Sequence, residues 1–281
     1  MRIISDTTCH LSANEAKERD ILLVPNQIIH RKQVIRDYLD ISSSDFMEFL
    51  KIDYAKTSQP AFGEVIEAYE KTAPEDTLHI TIGDGLSGAY NNACSAKESI
   101  QANHVQIFHS RSVAGVNHYL TLLAHKLTTL DYSIQEIIQR LNRCVSQTQS
   151  YVIPTDFSFL QKSGRLTKTA AVLGGLLKLK PVMAQSEDKK KIDKFAINRT
   201  WQSAINSVIH DLVAKKVDVQ HKIYVLHAFN EDIANQAIQA IKRSLGNVDI
   251  QSFLLSPAMI THGGPGCVVI QSVLKDSLDL K

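Results

Sequence analysis

Leu78-His79-Ile80-Thr81-Ile82-Gly83-Asp84-Gly85-Leu86-Ser87-Gly88-Ala89-Tyr90 is the stretch on which the fold turns. Its first five residues alternate apolar and β-branched side chains, the mark of a strand. A glycine loop follows, and a helix is predicted from Ala89 to about Ile100. The loop matches G-x-G-x-x-G through Gly83, Gly85 and Gly88, between strand and helix as a dinucleotide fingerprint requires. A nicotinamide site of that kind wants a carboxylate at the end of the next strand, where this chain has Phe108-His109-Ser110-Arg111. Arg111 suits the extra phosphate of NADP instead, so an NADP-dependent oxidoreductase is one reading. A small anionic head group at the helix N-terminus is the other.

Outward from this stretch, strand and helix keep alternating. Arg2–Ser5 and Ile21–Val24 read as strands. Between them Ser12 opens a helix, with Glu15 completing a capping box. Ile28–Ile35 reads as a hairpin arm, and a helix carries Phe46, Phe49 and Leu50. Val105–Phe108 is another strand, and helices run through Leu127 and from Ile134 to Val145. Such repetition builds a mostly parallel sheet covered on both faces. Beyond residue 150 the order changes. Tyr151–Ile153 is a strand, Leu160–Leu166 a loop holding Ser163-Gly164-Arg165, and Ala170–Leu179 a small-residue helix. Ile192–Ile197, Ile223–His227 and Ile250–Leu254 are strands, and Trp201–Val213 and Glu231–Leu245 are helices. The expected division is therefore 1–150 and 151–281, and 281 residues suit two medium domains.

The net charge of +2 carries no basic footprint for nucleic acid. Lys189-Lys190-Lys191 lies between Asp188 and Asp193 and reads as a solvated turn. Four scattered cysteines form no C-x-x-C pair and fit reduced thiols in a cytoplasmic protein. The start has no apolar signal core, and no run is long enough to anchor the chain in a membrane. The histidines lack metal-ligand spacing, so no metal and no cofactor are expected.

Three segments collect hydrogen-bonding groups beside small residues: Thr57-Ser58-Gln59-Pro60, Leu86-Ser87-Gly88 and His262-Gly263-Gly264-Pro265-Gly266. Thr57 and Ser58 suit either helix capping or a ligand. Glycine around His262 lets backbone amides of Gly263 and Gly264 approach an anion. Ser87 lacks the G-x-S-x-G elbow, which leaves an esterase using Ser87 and His262 a third reading.

In order along the chain, these segments resemble the DegV family of bacterial fatty-acid-binding proteins. The resemblance rests on Asp6-Thr7-Thr8, Asp37, the full T-S-Q-P at 57–60, Leu86-Ser87-Gly88-Ala89-Tyr90 and Ser163-Gly164-Arg165-Leu166. It continues through Leu176–Pro181, the basic stretch Lys194–Arg199 and His262–Gly266. It implies an α/β protein of two α/β domains, the first with a mostly parallel sheet flanked by helices and the second with a mixed sheet. It implies one long-chain fatty acid between the domains. Thr57, Ser58, Ser87, Gly88, His262, Gly263 and Gly264 would line the carboxylate. In Gram-positive relatives a separate fatty acid kinase then makes acyl phosphate, which makes Arg165 and Arg199 candidates for docking it. The carrier itself would not be an enzyme. Apolar positions of Ala170–Leu177 and Phe253–Leu255 are the expected tail lining. Gly83-Asp84-Gly85, Ala89 and His109 depart from the family pattern. An aspartate near an anionic head group is unfavourable unless it points away.

Overall fold

The computed structural model describes residues 1–172 and 179–280. The chain divides into two compact units, Met1–Val145 with Ser256–Met259, and Ser146–Leu255 with Ile260–Lys281.

The first unit runs β1 (Arg2–Asp6), α1 (Ala13–Glu18), β2 (Ile21–Val24), β3 (Gln27–His30), β4 (Gln33–Arg36), α2 (Ser43–Leu50), β5 (Lys56–Ser58), α3 (Phe62–Thr72), β6 (Thr77–Thr81), α4 (Ala89–Ser99), β7 (Val105–His109), α5 (Gly115–Thr128) and α6 (Ile134–Ser146). The capping box at Ser12 forms as its sequence requires. The Glu15 amide donates to Ser12 Oγ at 3.2 Å, and Glu15 Oε2 accepts the Ser12 amide at 2.9 Å. The main sheet has the order β2-β1-β6-β7, all parallel. One face packs Ile4, Val24 and Val105 against Val65, Tyr69 and Ala96 of α3 and α4. Ser5 points to the other face, where its hydroxyl meets Thr121 of α5 at 3.2 Å. A sheet buried on both sides accounts for the burial of every residue of β6 and of β1 beyond Arg2, polar ones included. The small antiparallel sheet β4-β3-β5 lies in the same unit.

The second unit holds β8 (Gln149–Ile153), α7 (Phe157–Ser163), α8 (Lys168–Ala171), β9 (Lys180–Gln185), β10 (Ile192–Asn198), α9 (Trp201–Ala214), β11 (His221–His227), α10 (Glu231–Leu245), β12 (Asp249–Leu254) and β13 (Val268–Leu274). The helix α11 (Pro257–Gly263) spans the change of unit. The sheet order is β10-β9-β8-β13-β11-β12, with only β11 and β12 parallel, so the sheet is mixed. Tyr151, Ile153, Val182, Ile223 and Val225 bury against α9 and α10. Val152 and Met183, paired across β8 and β9, face the other way onto Phe157, Leu160 and Leu166.

One expectation changes here. Leu160–Ser163 is the last turn of α7 rather than a loop, because Phe157 and Leu160 share an apolar face and only Gly164, at φ +71°, breaks the helix. Of the helix expected at Ala170–Leu179, the described residues show the start, Ala170 and Ala171, at the end of α8 (Lys168–Ala171). Residues 173–178 lie outside the described residues, and Pro181 sits inside β9. The β8–β9 ladder is confined to Tyr151↔Ala184 and Val152↔Met183, so the missing N–H of Pro181 breaks none of its bonds.

Candidate functional site

In the first unit, the three-stranded sheet positions Thr57. β5 pairs with β3 as Ile28↔Thr57 and Gln27↔Ser58. Successive strand residues point to opposite faces. Thr57 therefore shares the face of buried Ile28, and Ser58 the opposite face with Gln27 and Arg36. Neither residue caps a helix. α3 starts at Phe62 with Ala61 at its cap and no side-chain cap bond, which overturns the capping reading.

The T-S-Q-P and L-S-G segments meet. The Gln59 side chain lies over Gly88, where any Cβ would overlap Oε1. One helical turn on, Asn92 Nδ2 donates to the Pro60 carbonyl at 2.9 Å. Thr57 and Ser87 are both half-buried, and Ser87 Oγ accepts the Ala89 amide at 3.2 Å. The hydroxyl of Ser87 retains its proton for another acceptor.

The glycine fingerprint is explained by local packing. Gly83 donates to the Ser112 carbonyl at 2.9 Å, and a Cβ on it would come within 3.0 Å of the Arg111 backbone. The Asp84 amide donates to His109 Nε2 at 2.5 Å, and the ring of Tyr90 leans on His109 at 4.8 Å. Gly85 has φ +83°. The histidine standing where a nucleotide-binding fold has its carboxylate is thus the staple of this loop. The backbone of Asp84 is held by that staple.

In the second unit, His262 lies on the last turn of α11 rather than in an open loop. The Gly264 amide donates to the Ile260 carbonyl at 2.8 Å and the Gly266 amide to Ala228 at 2.7 Å. A Cβ on Gly263 would approach Cys267 Sγ to 2.5 Å, and one on Gly264, at φ +78°, would approach Phe159 to 2.7 Å. These glycines serve close packing. The Gly264 amide that the sequence offered to an anion is already spent inside the protein. Burial holds His262 down at about 3, and the charge of Arg165 adds to the effect. His262 is neutral at physiological pH. Arg165 is half-buried in the turn after α7, its guanidinium donating to the Ser163 carbonyl. Arg199 is exposed at the end of β10.

A buried network beside β1 was not legible as a unit. Thr7 Oγ1 donates to Asp37 Oδ2 at 2.9 Å, and the Ala258 amide donates to Asp37 Oδ1 at 3.0 Å. The Ser256 amide donates to His10 Nε2 at 3.1 Å, so the ring proton is on Nδ1, facing the Thr8 carbonyl at 3.0 Å. Burial raises Asp37 to about 7 and lowers His10 to about 4. Asp6, also buried, accepts the Ile82 amide at 2.7 Å at the root of the glycine loop. The signal available was Asp6 and Asp37, carboxylates flanking apolar segments. Among the described residues, no cluster of His, Cys, Asp or Glu is arranged to hold a metal ion. No described helix is long and apolar enough to cross a membrane.

The family model described as "Uncharacterised protein, DegV family" matches residues 1–275. This chain belongs to the DegV family. It is 27% identical over 273 residues to the DegV domain-containing protein BH3627 of Halalkalibacterium halodurans, covering 95% of each chain. A DegV family protein from Thermus thermophilus, described by its fatty acid binding, superposes with a TM-score of 0.88 at 20% identity, over 98% of this chain and 100% of that one. DegV of Bacillus subtilis, described as a fatty acid binding protein, superposes with a TM-score of 0.84 at 25% identity, over 98% and 99%.

Proposed function

We propose that this chain binds one long-chain fatty acid as a carrier, with the carboxylate received by the hydroxyls of Thr57 and Ser87. The observation that carries the reading is the closure of Gln59 onto Gly88, which joins two hydroxyl-bearing segments at one place in the first unit. Membership of a family whose Thermus thermophilus and Bacillus subtilis members are fatty acid binding proteins supports the same ligand class.

The energetics favour a tail-dominated binder. A hexadecanoic acid has about fifteen methylenes and a methyl, worth roughly 12 kcal/mol if fully buried. Lost ligand freedom offsets several kcal/mol of that, and the remainder is compatible with sub-micromolar affinity. Hydroxyls add orientation rather than a deep electrostatic well. They also keep the carboxylate from being buried unpaired, which is expensive.

The carrier then presents its carboxylate to a separate fatty acid kinase, and the chemistry of acyl-phosphate formation belongs to that kinase. Arg199, exposed, and Arg165, half-exposed, are the residues through which the kinase would dock.

Native mass spectrometry of the protein purified from cells, followed by lipid extraction, tests the ligand. A bound mass in the range of a C14–C20 fatty acid supports the reading, and a dinucleotide mass or an empty protein that takes up no fatty acid removes it. For the partner, charge reversal at Arg199 is expected to slow acyl-phosphate formation by an added fatty acid kinase while leaving the bound lipid in place.

A further inference from the structure

Three successive amides at the entry of the glycine loop are each held by a different element. Ile82 donates to Asp6 Oδ2 at the end of β1, Gly83 to the Ser112 carbonyl beyond β7, and Asp84 to His109 Nε2 at the end of β7. The Gly83 carbonyl in turn accepts the amides of Leu86 and Ser87, at 3.2 and 3.3 Å. How residues 82–84 are held therefore sets where Ser87 stands. His109 is rooted in the sheet, paired with Thr81 of β6. It also touches the far end of the loop, where its ring lies 4.8 Å from that of Tyr90, the second residue of α4. One side chain thus holds the loop at its entry and at its exit, with Ser87 between.

The three acceptors differ in chemistry. A backbone carbonyl accepts at any pH, and a carboxyl group keeps an accepting oxygen in either protonation state. An imidazole nitrogen accepts only while it carries no proton. The bond from Asp84 thus requires a neutral His109 with its proton on Nδ1. A second proton would set one donor against another at Nε2, and the bond would be lost. Ionisable groups on the elements around the ring are Asp84 of the loop, Tyr90 and Cys94 of α4, Arg111 just past β7, Asp6 of β1 and His79 of β6. Burial keeps His79 neutral. The aspartates, when ionised, attract an imidazolium and Arg111 repels it. Their charges tune the pH at which the proton arrives, and they do not restore the lone pair that Nε2 gives up.

We propose that His109 is a positioning residue for the head-group hydroxyl of Ser87. Neutral, it clamps both ends of the loop and fixes that hydroxyl. Protonated, it releases the Asp84 end, and the bound acid is retained less well. The proposal deepens the carrier reading and rests on it for the ligand, whereas the clamp on the loop stands without a ligand.

The test compares the full chain with His109→Gln, which keeps a neutral acceptor that does not titrate, and with His109→Leu, which has none. Retention is read by displacement of a fluorescent fatty acid between about pH 7.5 and 5.5, the range in which histidines change charge. From the upper to the lower pH, Kd for the parent should rise at least about fivefold more than Kd for His109→Gln. At the upper pH His109→Leu should bind several-fold more weakly than either. Hydrogen–deuterium exchange of amides 82–88 reads the clamp on the ligand-free protein. It should be faster in His109→Leu at both pH values, and faster in the parent than in His109→Gln only at the lower one. Parallel pH profiles in parent and His109→Gln, or loop exchange that ignores His109→Leu, overturn the proposal. Should His109→Leu fail to fold, the comparison of parent with His109→Gln decides. A parent that takes up no fatty acid at any pH removes the carrier reading, and the exchange data still decide the clamp.

Discussion

Gln59 and Gly88, 29 positions apart in sequence, are in such close contact that the residue at 88 has no room for a side chain. Gly88 has φ −78°, a backbone conformation open to any residue. Its glycine is therefore a matter of space alone. Gly88→Ala should displace the flexible end of Gln59 at small expense, roughly 1 kcal/mol or less in urea unfolding. Fatty acid retention is expected to drop by a larger factor, because the two hydroxyl segments lose their fixed spacing. Equal losses in stability and retention would show that Gln59 is only filling space.

Thr57→Ala with Ser87→Ala should weaken retention of a bound fatty acid by roughly 1–3 kcal/mol, about five- to hundredfold in Kd, measured by displacement of a fluorescent acid. Shortening the acid by four methylenes should cost about 3 kcal/mol, at least as much as losing both hydroxyls. A double variant that binds as tightly as the parent would exclude these residues from the head-group site.

Gly264 differs from Gly88 in having both a crowded Cβ position, 2.7 Å from Phe159, and φ +78°. Gly264→Ala adds left-handed strain of roughly 1–2 kcal/mol to a clash with a ring. The variant should unfold at least about 2 kcal/mol more easily in urea. A change below about 0.5 kcal/mol would mean that the loop relaxes freely and that its glycines are not required by packing.

Much of the fold was legible because helix and strand leave different apolar periods. β6, the glycine loop and α4 followed directly from residues 78–100. Position alone was misleading in three places. Gly164-Arg165 looked like the centre of a loop, although the apolar spacing of Phe157 and Leu160 carries a helix up to it. Thr57-Ser58 looked like a cap because Pro60 follows, yet pairing with β3 makes the segment a strand. Gly263 and Gly264 looked like amide donors, whereas Cys267, close by in sequence, and Phe159, distant in it, require them to be small. The hydroxyls of Thr57 and Ser87 were visible as chemistry. The contact between Gln59 and Gly88 was not, since a contact over such a separation leaves no periodic trace.

The buried histidine at position 10 predicts a pH response. Its folded-state value is held at about 4 by burial, below the ordinary value near 6.5. Between those values the unfolded chain takes up a proton that the folded chain refuses. Stability is thus lost as pH falls from about 6.5 toward 4. Asp37, raised to about 7, acts in the opposite sense over the same range and weakens the fold as pH rises from about 4 to 7. His10 has φ 54°, a conformation asparagine accepts. His10→Asn should make the acid limb shallower by about 1.4 kcal/mol per pH unit, and should be less stable at pH 7 by about 1–3 kcal/mol for the orphaned Ser256 amide. Thermal melts from pH 4 to 8 that ran parallel in parent and variant would contradict this.

Ser256–Met259 belongs to the first unit although the chain on either side of it belongs to the second. A gene severed after Val145 would encode an amino-terminal fragment in which Asp37 Oδ1 and His10 Nε2 lose their amide donors, and a carboxy-terminal fragment carrying the tetrapeptide that supplies them. The halves cannot be studied as autonomous pieces. Co-expressed, they should behave as a split-protein pair, with four borrowed residues as the token of reassembly.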